Sequence, residues 1–145
     1  NFRTQLVDRY LTPSPRQALV PVLRAYATAA LDVSDGFAKD LLRLAGAAGS
    51  GLDVRFDRLP LSEAARAVHA GSQLAVEKAA LTGGDDYEII FAVTAEDVAG
   101  LREAAERTSV AITEIGTLQQ SAPVRFVNAD GAEIEIAASG YDHFA

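Results

Sequence analysis

Cysteine, methionine and tryptophan are absent from the 145 residues, and histidine occurs only at His69 and His143. Without cysteine there are no disulfide staples, no thiolate nucleophile and no cysteine-ligated zinc. Two imidazoles are too few for a polyhistidine metal site. No apolar run approaches the roughly 18–20 residues that span a bilayer, and the start Asn1-Phe2-Arg3-Thr4-Gln5 has no apolar secretory core. Basic residues are in deficit: 13 Lys and Arg face 20 Asp and Glu, a net charge of −7, which argues against nucleic acid as a partner. The lack of methionine fits a chain that begins inside a longer one. The expectation left standing is a soluble, cytoplasmic domain, not bound to membrane, whose chemistry comes from carboxylates, hydroxyls, glycine and backbone.

With 49% hydrophobic and 23% charged residues, the chain has enough apolar content to bury a core instead of staying disordered, and its length suits one domain. Residues 1–13, closed by Pro13, read as a short helix or a linker entering the domain, with the domain itself over 14–145. Ser14-Pro15-Arg16-Gln17 resembles a capping box and predicts a helix over 15–27, kinked or split by Pro21. Strands are expected over 29–33, 52–56, 87–93 and 110–115, and a hairpin over 124–127 and 133–137 around Asn128-Ala129-Asp130-Gly131. Helices are expected over 37–48, after Ser62 as N-cap, over 73–78, and from Thr94 and Asp97 to about Arg107. The pattern predicts an α/β (α+β) fold: one domain, a mixed β-sheet flanked by helices.

Two acid-glycine clusters stand out. Asp32-Val33-Ser34-Asp35-Gly36 lies where a buried strand becomes a helix, the place where ligands collect in α/β sheets. Asp32 offers a carboxylate there, Ser34 a hydroxyl, and Gly36 lets backbone approach a ligand. The plainer alternative is that Ser34 or Asp35 only caps the helix. It leaves Asp32 unexplained, because a carboxylate in an apolar strand needs a partner. The second cluster, Gly83-Gly84-Asp85-Asp86-Tyr87-Glu88, packs acids together with no lysine or arginine in the loop. Magnesium is the usual remedy, held by one or two carboxylates plus substrate phosphates; a solvated glycine turn is the alternative. The tail Gly140-Tyr141-Asp142-His143-Phe144 reads either as an aromatic anchor on the core or as a ligand contact. His69, on an alanine-rich helix, reads as structural.

In this order and spacing the motifs resemble the C-terminal domain of the thiamine-monophosphate kinase family, within the superfamily of aminoimidazole ribonucleotide synthetase and selenophosphate synthetase. Arg9-Tyr10-Leu11-Thr12-Pro13 with Pro15-Arg16, Leu31 to Gly36, Leu59-Pro60-Leu61-Ser62, Leu81 to Glu88 and Gly140 to Phe144 carry the likeness. The resemblance implies transfer of phosphate from ATP to thiamine monophosphate, giving thiamine diphosphate. It further implies Mg2+ on Asp32 and Asp35, ATP contact by Ser34, and substrate contact by Asp85 and Tyr141, with Asp86, Gly83 and Gly84 in support. It also implies an N-terminal domain, outside these 145 residues, that supplies most of the ATP site and the homodimer interface. The segment alone is therefore expected to be catalytically silent. A related ATP-dependent synthetase and a non-catalytic binding module are the alternatives.

Overall fold

The computed structural model describes residues 1–68, 72–84 and 87–134. In chain order these form α1 (Phe2–Leu11), a 3₁₀ turn (Gln17–Leu19), α2 (Val20–Tyr26), β1 (Ala27–Asp32), α3 (Phe37–Ala47) and β2 (Ser50–Arg55). A second 3₁₀ turn (Phe56–Arg58), α4 (Glu63–Val68), α5 (Gln73–Thr82), β3 (Ile89–Val93), α6 (Val98–Glu106), β4 (Gly116–Gln120) and β5 (Val124–Val127) follow.

The α/β character predicted from periodicity is present, with the strands divided between two sheets. β1 and β3 form an antiparallel pair. β2 is the centre of a mixed three-stranded sheet, antiparallel to β4 and parallel to β5. α3 packs on both β1 and β2 and so ties the sheets together. It sends Ala38 and Leu41 into a core completed by Val33, Leu52, Val54, Phe56, Leu59, Leu81, Ile90 and Phe126. Among the described residues no helix is long and apolar enough to cross a membrane.

Several boundaries differ from the sequence reading. The helix expected over 15–27 is a 3₁₀ turn followed by α2, and Pro21 lies in the first turn of α2. Its missing N–H is one the helix start leaves unbonded anyway, so nothing is broken there. The capping box is not formed: Arg16 precedes the 3₁₀ turn without a side-chain cap. Residues 110–115 are not a strand. Val54 pairs with Gly116, and the chain turns into a 3₁₀ helix at Phe56, so residues upstream of Ile115 have no strand to pair with. The predicted strand over 87–93 starts at Ile89, because Tyr87 adopts φ 53 and breaks the extended run. α5 runs on to Thr82, four residues beyond the expected end. Ser62 and Ser72 cap α4 and α5, accepting from the N–H of Ala65 at 3.1 Å and Ala75 at 3.2 Å. The hairpin turn forms at Asn128–Gly131, with Gly131 N–H donating to Asn128 O and a bridge from Val127 to Glu133. The rest of its second arm lies outside the described residues.

Candidate functional site

The two acid-glycine clusters meet. At the end of β1, Val33 N–H donates to Glu88 O at 2.9 Å and Tyr87 N–H donates to Val33 O at 3.3 Å. A Cβ on Gly84 would lie 2.5 Å from Ser34 O, and one on Gly36 would lie 3.2 Å from Thr82 O. Backbone touches backbone, which is why glycine stands on both sides of the contact; Gly36 also holds φ 124, a conformation side chains disfavour. Gly83 sits in the same seam, its N–H closing α5 on Ala79 O.

Asp32, paired with Ile89 at the end of the β1–β3 ladder, is exposed, as is Ser34. The partner that a buried Asp32 would have needed is therefore not required: the carboxylate faces water. Asp35 is 13% exposed and carries two cations, Arg43 Nη1 at 2.6 Å and Lys39 Nζ at 3.7 Å. The hydrogen bond to Asp35 comes first among the causes that raise the Arg43 pKa above its ordinary value. Neither Ser34 nor Asp35 caps α3, whose N-cap is Gly36 without a side-chain bond. The bonding runs the other way: the carboxylate of Asp40 accepts from the backbone N–H of Ser34 and of Asp35 at 2.9 Å each. Asp85, Asp86 and Tyr141 lie outside the described residues, as do His69 and His143.

Two features were missed at the level of sequence. Asp40 is 1% exposed and is the one buried charged side chain among the described residues. Its signal was present: it falls on the apolar stripe of α3 beside Phe37, Leu41 and Leu44, where an acid must be partnered. The second is a clamp on Glu88. Arg9 Nη2 donates to Glu88 Oε1 at 2.7 Å, and Arg16 donates through Nε to Oε2 at 2.9 Å and through Nη2 to Oε1. That bond raises the pKa of Arg16. The cations lacking in the glycine-acid loop thus come from the first 16 residues, a long-range pairing that no local pattern reveals.

A shallow groove of about 570 Å³ lies elsewhere, lined by Arg58, Arg102 and residues 109–114. Its arginines already pair with Glu114, so it offers less free chemistry than the loop seam.

Comparison with known proteins identifies relatives of this chain. Residues 2–127 match the family model described as AIR synthase related protein, C-terminal domain. The thiamine-monophosphate kinase of Salmonella typhimurium is 40% identical over 143 residues, 97% of this chain and 42% of that protein. The crystal structure of thiamine-monophosphate kinase from Stenotrophomonas maltophilia K279a superimposes with a TM-score of 0.80 at 36% identity, over 90% of this chain and 40% of that one. A structure described as AaThiL complexed with AMPPCP and TMP gives 0.76 at 28% identity, over 99% of this chain and 42% of that one. The chain thus spans about two fifths of the length of the relatives it matches.

Proposed function

The chain belongs to the AIR synthase related family through its C-terminal domain, and on that premise we propose that it is the C-terminal part of a thiamine-monophosphate kinase. The observation that carries the reading is the seam in which Gly84 lies against Ser34, because it joins both acid-glycine clusters in one place. The neighbour bound to AMPPCP, an ATP analogue, and to TMP supports ATP and thiamine monophosphate as the ligands.

In this reading Asp32 and Asp35 are magnesium ligands, Ser34 contacts ATP, and Asp85 and Tyr141 contact thiamine monophosphate, with Gly83, Gly84 and Asp86 in support. The donor chemistry fits magnesium. Asp32 is an exposed hard oxygen donor three residues from Asp35. Magnesium commonly takes one or two carboxylates and completes its shell with phosphate and water. When bound, it supplies neutralisation of phosphate charge. The chain's own residues do the positioning. The contact of Gly84 with Ser34 O holds the two loops together, the exposed Ser34 hydroxyl would donate to a phosphoryl oxygen, and Asp35, held by Arg43 and Lys39, would share its carboxylate with the ligand complex. Phosphoryl transfer depends on such placement more than on covalent chemistry. The N-terminal part of the relatives would supply the other half of the clamp and the homodimer contact, so a polypeptide of these 145 residues alone should give no turnover.

The test is a chimera in which this chain replaces the matching segment of the Salmonella kinase. ADP formation with ATP, magnesium and thiamine monophosphate should fall within about tenfold of the parent rate. A chimera that melts cooperatively but forms no ADP would overturn the reading. In that chimera Asp32→Asn should lower kcat about a hundredfold and raise the magnesium requirement. An unchanged magnesium titration would remove Asp32 from its role.

A further inference from the structure

Asp40 lies just inside α3, its own N–H bonded to Gly36 O at 2.9 Å. Its buried carboxylate is bonded on both oxygens. Oδ2 accepts from the N–H of Ser34 and of Asp35 at 2.9 Å each, and Oδ1 accepts from Arg43 Nη1 at 2.8 Å. The same Arg43 nitrogen reaches Asp35 Oδ2 at 2.6 Å. The bonds form a closed circuit, from the loop backbone to Asp40, from Asp40 to Arg43, and from Arg43 back to the Asp35 side chain. Backbone and side chain of one loop residue are fixed through one buried anion and one half-exposed cation.

We propose that Asp40 is a positioning residue of the site: it sets the backbone conformation in which Ser34 and Asp35 are presented and delivers Arg43 to Asp35 as its counter-charge. The proposal rests on the reading of the strand-end loop as the site. Simple burial of an acid does not account for Asp40. An isolated carboxylate is costly to bury, so without a local task an apolar residue would suit the position better. Both of its donors on the backbone belong to the loop, and neither belongs to the helix that carries it. Charge-assisted bonds of this length hold donors more firmly than neutral ones, and here they bear on a residue, Ser34, that is otherwise exposed.

Amide hydrogen exchange, followed by NMR in the 145-residue chain, tests the claim without reference to activity. In the unaltered chain the Ser34 and Asp35 amides should be protected by about a hundredfold or more, although Ser34 lies on the surface. Asp40→Asn should speed those two amides about tenfold while Val54 and Leu101 keep their protection. Uniform acceleration, or no change at Ser34 and Asp35, would overturn the proposal. If Asp40→Asn does not fold, the unaltered chain decides: exchange at the rate of an unstructured peptide at those two positions overturns it, and protection supports it. In the chimeric kinase the same variant should lower kcat about tenfold with the KM for thiamine monophosphate held within about twofold; an unchanged kcat counts against the proposal. The two readings fail separately. An inactive unaltered chimera removes the kinase function and leaves the exchange result intact, whereas an active chimera with no local exchange change removes only the role of Asp40.

Discussion

The three-stranded sheet β4-β2-β5 and the two-stranded sheet β1-β3 draw on similar residues but are sealed to different degrees. Val54, at the centre of the first, has no exposure, and Leu52 and Phe126 beside it are buried. Its charged residues sit on the opposite face, where Asp53 meets Arg125 at 2.8 Å across the β2–β5 pair. In the second sheet the alternation of β1 leaves Thr28, Ala30 and Asp32 exposed, and only Ile90 of β3 is fully buried. The first sheet gives the core Leu52, Val54 and Phe126, although its edge strand β4 is exposed from Thr117 to Gln120; the second gives it Ile90 and ends in the acid-glycine loops. α3 serves both, with Leu41 in the core and Asp40 under the loop.

The comparison breaks most readily at its sealed end. Leu52→Ala removes a core side chain from β2 and should cost about 2–5 kcal/mol of unfolding free energy, read from urea denaturation. Asp32→Asn, at the tip of the open sheet, should change the same quantity by less than about 0.5 kcal/mol. A comparable loss from both substitutions would show that stability is spread evenly. Gly84→Ala comes next. Its methyl would meet Ser34 O at 2.5 Å, so one backbone must move. The expected result is a loss of at least about tenfold in chimera turnover, with a stability cost of only about 1–2 kcal/mol. A large stability loss with activity retained would place Gly84 in the core and not in the site.

Strands β1, β2 and β3, helix α3 and the meeting of acid with glycine were legible because each rests on local pattern: alternation, an apolar stripe, a turn residue. The placement of Asp32, Ser34, Asp35 and the glycines at one strand end was legible for the same reason; their roles toward ligands are the proposal. The division into two sheets was not, since it depends on which strands pair. The false strand over 110–115 shows the limit clearly. Val110, Ile112, Thr113 and Ile115 are β-branched, but β2 has already turned away at Phe56. β-branched residues favour extended backbone and say nothing of whether a neighbouring strand exists. Asp40 was not legible as a part of the site, because the stripe it shares with Phe37, Leu41 and Leu44 reads as core.

Charge draws a finer version of the same contrast. On the open side, Glu88 follows directly on the loop and receives both Arg9 and Arg16, which fastens α1, a helix with no buried residue of its own. Glu88→Gln should therefore loosen α1 selectively. The side chains are a third to a half exposed, so screening limits the cost to about 1 kcal/mol. Limited proteolysis should cut within residues 2–16 several times faster, roughly as that free energy allows. Equal cleavage rates would mean that packing of α1 against α4, and not the ion pairs, holds the helix.

On the sealed side, Arg55 at the end of β2 and Asp57 form a pair at 2.9 Å. The hydrogen bond from Arg55 is the main cause lowering the Asp57 pKa below its ordinary 3.8. A carboxylate with a depressed folded-state pKa contributes stability above its unfolded value and loses that contribution as the pH falls through the folded value. The unaltered chain should therefore melt slightly above Asp57→Asn at about pH 6, and the gap should close by about pH 2. Because both groups face solvent, this is the smallest effect expected, and salt should shrink it further. A gap that persists in acid would mean that Asp57 acts through its uncharged contacts. The rim of the sealed sheet would then be packed more tightly than its exposure implies, and the contrast with the open sheet would lie in burial alone, without help from charge.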